Sequence, residues 1–314
     1  MENDKNLKVS VIMNCLNCSQ YLKEAIDSVF AQTYQDWEII FWDNASTDNS
    51  ASIAQEYGEK IKYFKSDKIY SLGKARNLAL KEAAGKYIAF LDCDDIWLPE
   101  KLEKQISTFD KNQKTGLVFS DVIYFNDRGD VFQLYEKNKP PEGYVFRQLF
   151  RKNFLCLSSV MIKQEVLLGM AEWFDARFHC TEDLDFFLRI TRNWQASYAG
   201  GVLVKYRMHL KSWTHSHRSS FPLEHEMLVG KLLTLYPRME AEYNYELRAM
   251  QIRIGYEKFA LHWQSAELKA ARQALKPFLL WDKMLFLPYV LSYFLPFDFF
   301  ELLLGIFRKK TYSP

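Results

Sequence analysis

The chain has 314 residues, 48% hydrophobic and 16% aromatic, which is enough apolar material for a large core and excludes a disordered chain. Its 41 basic and 39 acidic residues leave a net charge of +2, which excludes the basic stripe that nucleic acid demands. Five scattered cysteines, Cys15, Cys18, Cys93, Cys156 and Cys180, and a polar start without an apolar leader predict reduced thiols in a cytoplasmic setting.

Residues 8–13 are a short β-branched run, a first strand that ends in the polar loop 14–17. Ser19 is placed to cap a helix in which Tyr21, Leu22, Ala25, Ile26, Val29 and Phe30 recur with helical period. Residues 38–42 form a second strand, followed by the polar loop 43–48 and a helix with Ile53, Ala54 and Tyr57 on its apolar face. A third strand covers residues 61–64, and a helix opening at 72–77 carries Leu78 and Leu80 and stops near Gly85. Residues 85–90 are a fourth strand, apolar throughout its core. It delivers Leu91-Asp92-Cys93-Asp94-Asp95 from its C-terminal end, ahead of a helix expected to begin at Pro99.

Strict alternation of strand and helix predicts a parallel sheet with helices on its faces, and right-handed crossovers put the strand ends on one rim. The polar loops 14–17, 43–48 and 92–95 therefore share the edge where open α/β sheets bind ligands. Adjacent carboxylates there raise one another's pKa unless a cation sits among them, and an oxygen-only donor set suits Mg²⁺ or Mn²⁺. The plain alternative is a solvated acidic turn. Neither a Gly-x-Gly-x-x-Gly fingerprint nor a P-loop lysine is present, so phosphate handling falls to the metal carboxylates and Arg76. Arg76 near a helix start on that rim reads as functional rather than as a surface ion pair. Asn77 and Asp48 are assigned to structure, Asp48 as a helix cap, and Asp95 to ordinary capping ahead of Pro99. Cys15-Leu16-Asn17-Cys18 has redox or zinc spacing, but no second ligand pair accompanies it, so two small buried or half-buried side chains are expected.

Residues 115–125 and 130–135 alternate as strands around an Asn126-Asp127-Arg128-Gly129 turn, which makes the sheet mixed. Residues 137–143 are a loop, either mobile and facing an acceptor or plain surface, and residues 156–162 are read as another strand. Thr181 is expected to cap a helix whose first turn holds Glu182, Asp183 and Asp185 and whose apolar face is Phe186, Phe187, Leu188 and Ile190. A strand ending near Lys205 leads into Tyr206-Arg207-Met208-His209, where His209 is either a metal or diphosphate ligand or structural. His215 and His217 follow in a loop, and no zinc spacing joins the three. Residues 223–275 have a helical pattern. Residues 277–310 are dense in Phe, Leu, Trp and Tyr but are broken by Pro288 and Pro296, and they end in Arg308-Lys309-Lys310. That composition predicts a segment lying in a membrane interface, with a helix packed on the catalytic domain or on a second subunit of a homo-oligomer as the rival.

Val9-Ser10-Val11-Ile12-Met13, Tyr21-Leu22, residues 28–34, Asp43-Asn44-Ala45-Ser46-Thr47-Asp48, Ala75-Arg76-Asn77 and residues 85–95 together resemble the family 2 glycosyltransferases, in that family's order and spacing. The resemblance covers roughly the first two-thirds of the chain. It implies a GT-A fold, a Rossmann-like, mostly parallel mixed sheet flanked by helices, to which the residue pattern adds a C-terminal helical extension. It also implies inverting sugar transfer from a nucleotide-sugar donor of UDP or dTDP type to a saccharide or lipid-linked saccharide acceptor in surface polysaccharide synthesis, with Mn²⁺ or Mg²⁺.

By that match Asn14, Leu16, Asp43 and Asn44 lie at the base and ribose. Arg76 and Cys93 lie near the nucleotide, and Asp92 faces the ribose or sugar side. Asp94 reaches the metal, with Asp92 and His209 as further ligands. Glu182-Asp183 is the acidic pair that holds the catalytic base, Asp183. Asn14 and Leu16 depart from the Thr or Pro, then Tyr, of many members, and Asn44 replaces the second acid of an Asp-Asp pair, which leaves the base open. The expected division is a catalytic domain 1–220, with a donor half about 1–115 and an acceptor half about 116–220, and a helical region 221–314 whose membrane-associating segment is about 277–310, on the inner face of the membrane. Rival readings are a sugar nucleotidyltransferase, which normally brings a glycine-rich loop that residues 14–19 lack, and a non-catalytic nucleotide-sugar-binding module.

Overall fold

Residues 9–300 are described by a computed structural model, and the chain divides into two units between Ser216 and His217. The first unit is built on β1 (Val9–Cys15), whose Val9, Val11 and Met13 are fully buried. A strand apolar on both faces belongs in the middle of a covered parallel sheet. β1 pairs in parallel with β2 (Trp37–Asp43) on one side, β2 in turn with β3 (Ile61–Lys65), and β1 with β4 (Tyr87–Phe90) on the other side. Three helices cross over between these strands: α1 (Ser19–Phe30), α2 (Ser50–Gln55) and α3 (Leu72–Lys81). α1 buries Leu22, Ile26 and Val29 on one face, each aliphatic side chain contributing about 1.5–3 kcal/mol.

Beyond β4 the sheet turns mixed. β8 (Met161–Lys163) runs antiparallel to both β4 and β6 (Thr115–Asn126), and β7 (Gly129–Gln133) folds back on β6 as the hairpin pattern predicts. β9 (Gln195–Arg207) lies parallel to β6 and antiparallel to the two-residue β5 (Ile96–Trp97). The order is β3-β2-β1-β4-β8-β6-β9-β5, with β7 beside β6. Helices α4 (Lys101–Asp110), α5 (Phe146–Arg151), α6 (Gln164–Leu168), α7 (Glu182–Thr191) and α8 (Trp213–Ser216) complete the unit.

Several local expectations are corrected. Pro99 does not open α4, which starts at Lys101; the chain first makes β5, because Ile96 and Trp97 pair with Lys205 and Val204. Residues 156–162 are not one strand: Leu157–Ser159 is a 3₁₀ turn and only Met161–Lys163 is extended, which frees Ser158 to face the site. Ser19 is the first residue of α1 rather than its cap; its N–H is met by Asp48 Oδ2 at 2.9 Å, and Asp48 Oδ1 also accepts from Ser50 N–H at 3.0 Å. Thr181 stands at the N-cap of α7 without a side-chain cap bond.

Parallel pairing sets the rim. Cys15 lies opposite Asp43 in the β1–β2 register, and Leu91 N–H donates to Ile12 O as β4 ends. The loops after β1, β2 and β4 thus emerge together. α3 is fixed beside the loop before α7. A Cβ on Gly73 would meet Asp175 O at 2.9 Å, so only glycine permits this approach. Asn77 seals it by bonding both the N–H and the C=O of Phe174, the structural role its position predicted.

The second unit is helical: α9 (Phe221–Leu235), α10 (Met239–Glu242), α11 (Asn244–Gln264), α12 (Leu268–Leu275) and α13 (Phe286–Leu291). Phe259, Trp263, Ala271, Leu275, Leu285 and Phe300 form its core. Between α12 and α13 the chain makes the short turns Lys276–Phe278 and Lys283–Leu285. Among the described residues no helix is long and apolar enough to cross a membrane. Residues 301–310 of the expected interfacial segment, with its basic end, lie outside the described residues.

Candidate active site

The acidic loop after β4 is anchored on one side and open on the other. Asp95 is buried, with Oδ2 accepting from Ser158 Oγ at 2.6 Å and Oδ1 from Arg207 N–H at 3.0 Å. Burial and the charges of Asp94 and Asp92 push its carboxyl well above the usual carboxylate range. Ser158 Oγ also accepts from Asp92 N–H at 3.2 Å, so the 3₁₀ turn before β8 braces the loop. Arg207, at the end of β9, braces it from the far side. Its Nε donates to Asp94 O at 2.9 Å, its Nη2 to Glu24 at 2.5 Å, and its guanidinium stacks between Tyr21 and Phe125 at 4.4 and 4.5 Å.

Asp94 points the other way, and His209 Nε2 lies 2.9 Å from its Oδ2. Burial first, then the neighbouring Asp92, raises the Asp94 carboxyl. Among the described residues no three His, Cys, Asp or Glu side chains gather as a metal cluster. The pair still fits a hard divalent ion. Such an ion usually keeps water and phosphate oxygens in most of its shell and takes one or two protein donors, and the imidazole favours Mn²⁺ over Mg²⁺. Asp92 Oδ1 faces Arg76 instead, 3.3 Å from its Nη2.

Arg76 joins two parts of the chain that are far apart in sequence. It is buried, and its Nη1 lies 2.5 Å from Glu182 Oε1, across 106 residues. Glu182 sits in the first turn of α7, and its other oxygen, Oε2, is buried without a partner. Burial raises the Glu182 carboxyl while Arg76 pulls it down, and the guanidinium itself stays charged. Asp183 beside it accepts its bond from Leu184 N–H at 2.6 Å, and burial pushes its carboxyl up to about 6. A carboxylate of that strength is ionised at neutral pH and still basic enough to take a proton in a transition state.

A small cavity of about 40 Å³ lies where the loops after β1 and β2 meet α3. Asn14, Leu16, Asn44, Tyr70, Ala75 and Trp213 line it. Asn14 Nδ2 is buried without a partner, whereas Asn44 is tied at both ends, Nδ2 to Tyr70 O at 2.9 Å and Oδ1 from Tyr70 N–H at 3.1 Å. Asp43 lies beneath this floor, fully buried. Its oxygens accept from Ser46 N–H at 2.7 Å and from the Tyr63 hydroxyl at 2.6 Å, so it shapes the loop. Cys93 Sγ donates to Asn14 O at 3.3 Å, and the neighbouring Cys15 and Cys18 with burial push its thiol well up, a third thiol that the C-x-x-C spacing alone did not disclose.

The structure thus brings Asn14, Leu16 and Asn44 to one cavity, Asp94 to His209, and Asp92 to Glu182 through Arg76. Trp213, Tyr70 and Ser158 were not singled out in the sequence. Trp213 is held by its indole N–H on His179 O at 2.6 Å, and only the fold brings this four-residue helix over the loop after β1. Arg207 had a signal in its place two residues before His209.

The family model described as glycosyl transferase family 2 matches residues 10–168. An uncharacterized glycosyltransferase of Methanocaldococcus jannaschii is 34% identical over 217 residues, which cover 66% of this chain and 72% of that one. The UDP-Glc:alpha-D-GlcNAc-diphosphoundecaprenol beta-1,3-glucosyltransferase WfgD of Escherichia coli is 32% identical over 203 residues, covering 64% and 77% of the two chains. Among solved structures, TarS 1–349 of S. aureus in complex with UDP-GlcNAc aligns with a TM-score of 0.68 at 21% identity, over 87% of this chain and 80% of that one. A mannosyltransferase from Pyrobaculum calidifontis with GDP-Man and Mn²⁺ aligns with a TM-score of 0.62 at 16% identity, over 93% and 82%. These likenesses identify the fold of the first unit as GT-A.

Proposed function

The chain belongs to glycosyl transferase family 2, and on that premise we propose that it is a metal-dependent inverting enzyme. It takes a sugar from a UDP- or dTDP-type donor to a saccharide or lipid-linked saccharide in surface polysaccharide synthesis. The observation that carries this reading is the buried Arg76, which holds Asp92 and Glu182 in one site. Donor-side acids and acceptor-side acids then face a common centre, as a single displacement requires.

In that displacement the Asp183 carboxylate takes the proton of the acceptor hydroxyl as its oxygen attacks the anomeric carbon, while the bond from that carbon to the nucleoside diphosphate breaks on the opposite side. Inversion follows from the one in-line step. Glu182 Oε2, buried and unpartnered, accepts from a sugar hydroxyl. Asn14 Nδ2, also unpartnered, donates to the nucleoside, and Asn44 with Tyr70 shapes the wall of its cavity. Asp94 and His209 would hold Mn²⁺ or Mg²⁺, whose chemistry is to neutralise charge on the departing diphosphate. The name of the E. coli relative supports a polyprenyl-diphosphate acceptor class, and the apolar surface of the second unit supports peripheral placement on the inner face of the membrane.

Thermal unfolding in a panel of UDP-, dTDP- and GDP-sugars, with and without Mn²⁺, tests the donor assignment. One donor class stabilises the protein by mass action, more strongly with metal. No shift with any donor overturns it.

A further inference from the structure

The helical unit carries two features that sugar transfer does not use, and Trp281 belongs to both. The first is a cavity of about 330 Å³ walled by Leu233 of α9, Glu240 of α10 and the α11 residues Asn244, Arg248 and Gln251, with Trp281 at its edge. That size suits a small polar ligand. The Arg248 guanidinium lies 4.3 Å over the Trp281 ring, and no carboxylate among the described residues pairs with it. The second feature starts at the neighbouring residue. Leu280 is 95% exposed, Met284 84%, Leu287 64% and Phe294 77%, while Leu285, Leu291 and Leu295 of the same stretch pack inward. Lys276 and Lys283 of this stretch are exposed, as is Asp298, and Asp282 accepts from Met284 N–H.

We propose that this face docks on an anionic phospholipid surface and that the cavity takes a lipid headgroup. Leu280, Met284, Leu287 and Phe294 enter the interface. Arg248 holds the headgroup phosphate, and Glu240, Asn244 and Gln251 meet its hydroxyl groups. The proposal deepens the membrane placement in the proposed function by naming the surface and its ligand. The exposed apolar side chains suit a lipid interface, and the Arg248 guanidinium beside them is complementary to a headgroup phosphate.

Sedimentation of the full chain with vesicles tests this, using phosphatidylcholine alone and phosphatidylcholine mixed with phosphatidylglycerol. The chain sediments with the mixed vesicles and is released by salt. Arg248→Ala weakens that partition about fivefold, the worth of one basic group at such a surface. Leu280→Ser with Leu287→Ser removes it, and circular dichroism checks that these surface variants stay folded. A chain that remains in the supernatant overturns the proposal. So does equal binding to both vesicle types that Arg248→Ala leaves unchanged. Protection of the cavity by soluble glycerol phosphate without vesicle binding assigns it to a free phosphate ester instead. A concentration-dependent dimer that Leu280→Ser dissociates, again without vesicle binding, assigns the face to a second copy. None of these readouts uses sugar transfer, so failure here leaves the catalytic reading standing, and the reverse holds.

Discussion

The two acidic clusters, Asp92–Asp95 after β4 and Glu182–Asp185 at the start of α7, look alike in sequence and differ in how they are built. The first is a loop braced from outside: Ser158 and Arg207 reach in to hold Asp95, and Asp94 is left facing His209. The second is a helix start braced from within. Asp185 is fully buried and pairs with Arg189 one turn on, at 2.7 Å, while Glu182 and Asp183 face the site. In both, one acid is taken up by the surrounding structure while its neighbours face the site. Runs of acids near a ligand rim are therefore mixtures, and the partners of each carboxylate rather than its spacing sort them.

Substitutions sharpen that division. The largest loss is expected for Asp183→Asn, which removes the base. Turnover should fall about a thousandfold with donor affinity retained, since general base catalysis is worth about 10²–10⁴, and steady-state transfer assays with donor titration check both. Near-normal turnover would assign the base elsewhere. Asp94→Asn should cost about a hundredfold and abolish the extra stabilisation that Mn²⁺ gives a bound nucleotide diphosphate, read by thermal shift. If the metal response persists, Asp94 is not a ligand.

The pH profile comes next. As the proposed base, Asp183 is needed as carboxylate, and burial raises it to about 6, so the limiting rate should be flat above that pH and fall tenfold per unit below it. An Asp183 variant should lose this limb; if it keeps the limb, another group sets the profile.

The structural acids should behave in the opposite sense. Asp185→Ala strands the nearly buried Arg189 and should cost about 3–5 kcal/mol of stability in denaturant titration. Asp95→Ala should cost about 1–3 kcal/mol by leaving Arg207 N–H and Ser158 unmatched, whereas Asp95→Asn, a neutral replacement for a raised carboxyl, should unfold close to the parent. A folded Asp95→Asn protein that has lost all transfer would move Asp95 into the chemistry. The smallest effect is expected at the cavity edge. Trp213→Ala should raise the donor KM several-fold with kcat little changed, and Trp213→Phe should restore most of it, because an aromatic wall is worth about 1–3 kcal/mol to a stacked base.

Much of the donor half was legible because its determinants are local. Val9, Val11 and Met13 announce a buried strand, parallel strands end on one rim, and Asp94 stands where that rim must be. What escaped was decided by distant partners. β5 is two residues long and exists only because β9 pairs with it. Residues 157–159 have strand composition, yet they form a 3₁₀ turn whose Ser158 side chain meets Asp95 and Asp92 N–H. The Tyr63 hydroxyl on the neighbouring strand bonds the Asp43 carboxylate, a partner that the motif around Asp43 does not disclose. The Arg76–Glu182 pair links segments whose separation no periodicity encodes.

That pair has a thermodynamic consequence. One guanidinium shared by Asp92 and Glu182 means that a donor drawing on Asp92 changes the positive field left for Glu182 and Asp183. Linkage is reciprocal: whatever donor binding does to the proton affinity of the base, protonating the base does to donor affinity. Calorimetric titration of donor in buffers of different ionisation enthalpy should register that proton exchange, and Arg76→Lys should diminish it.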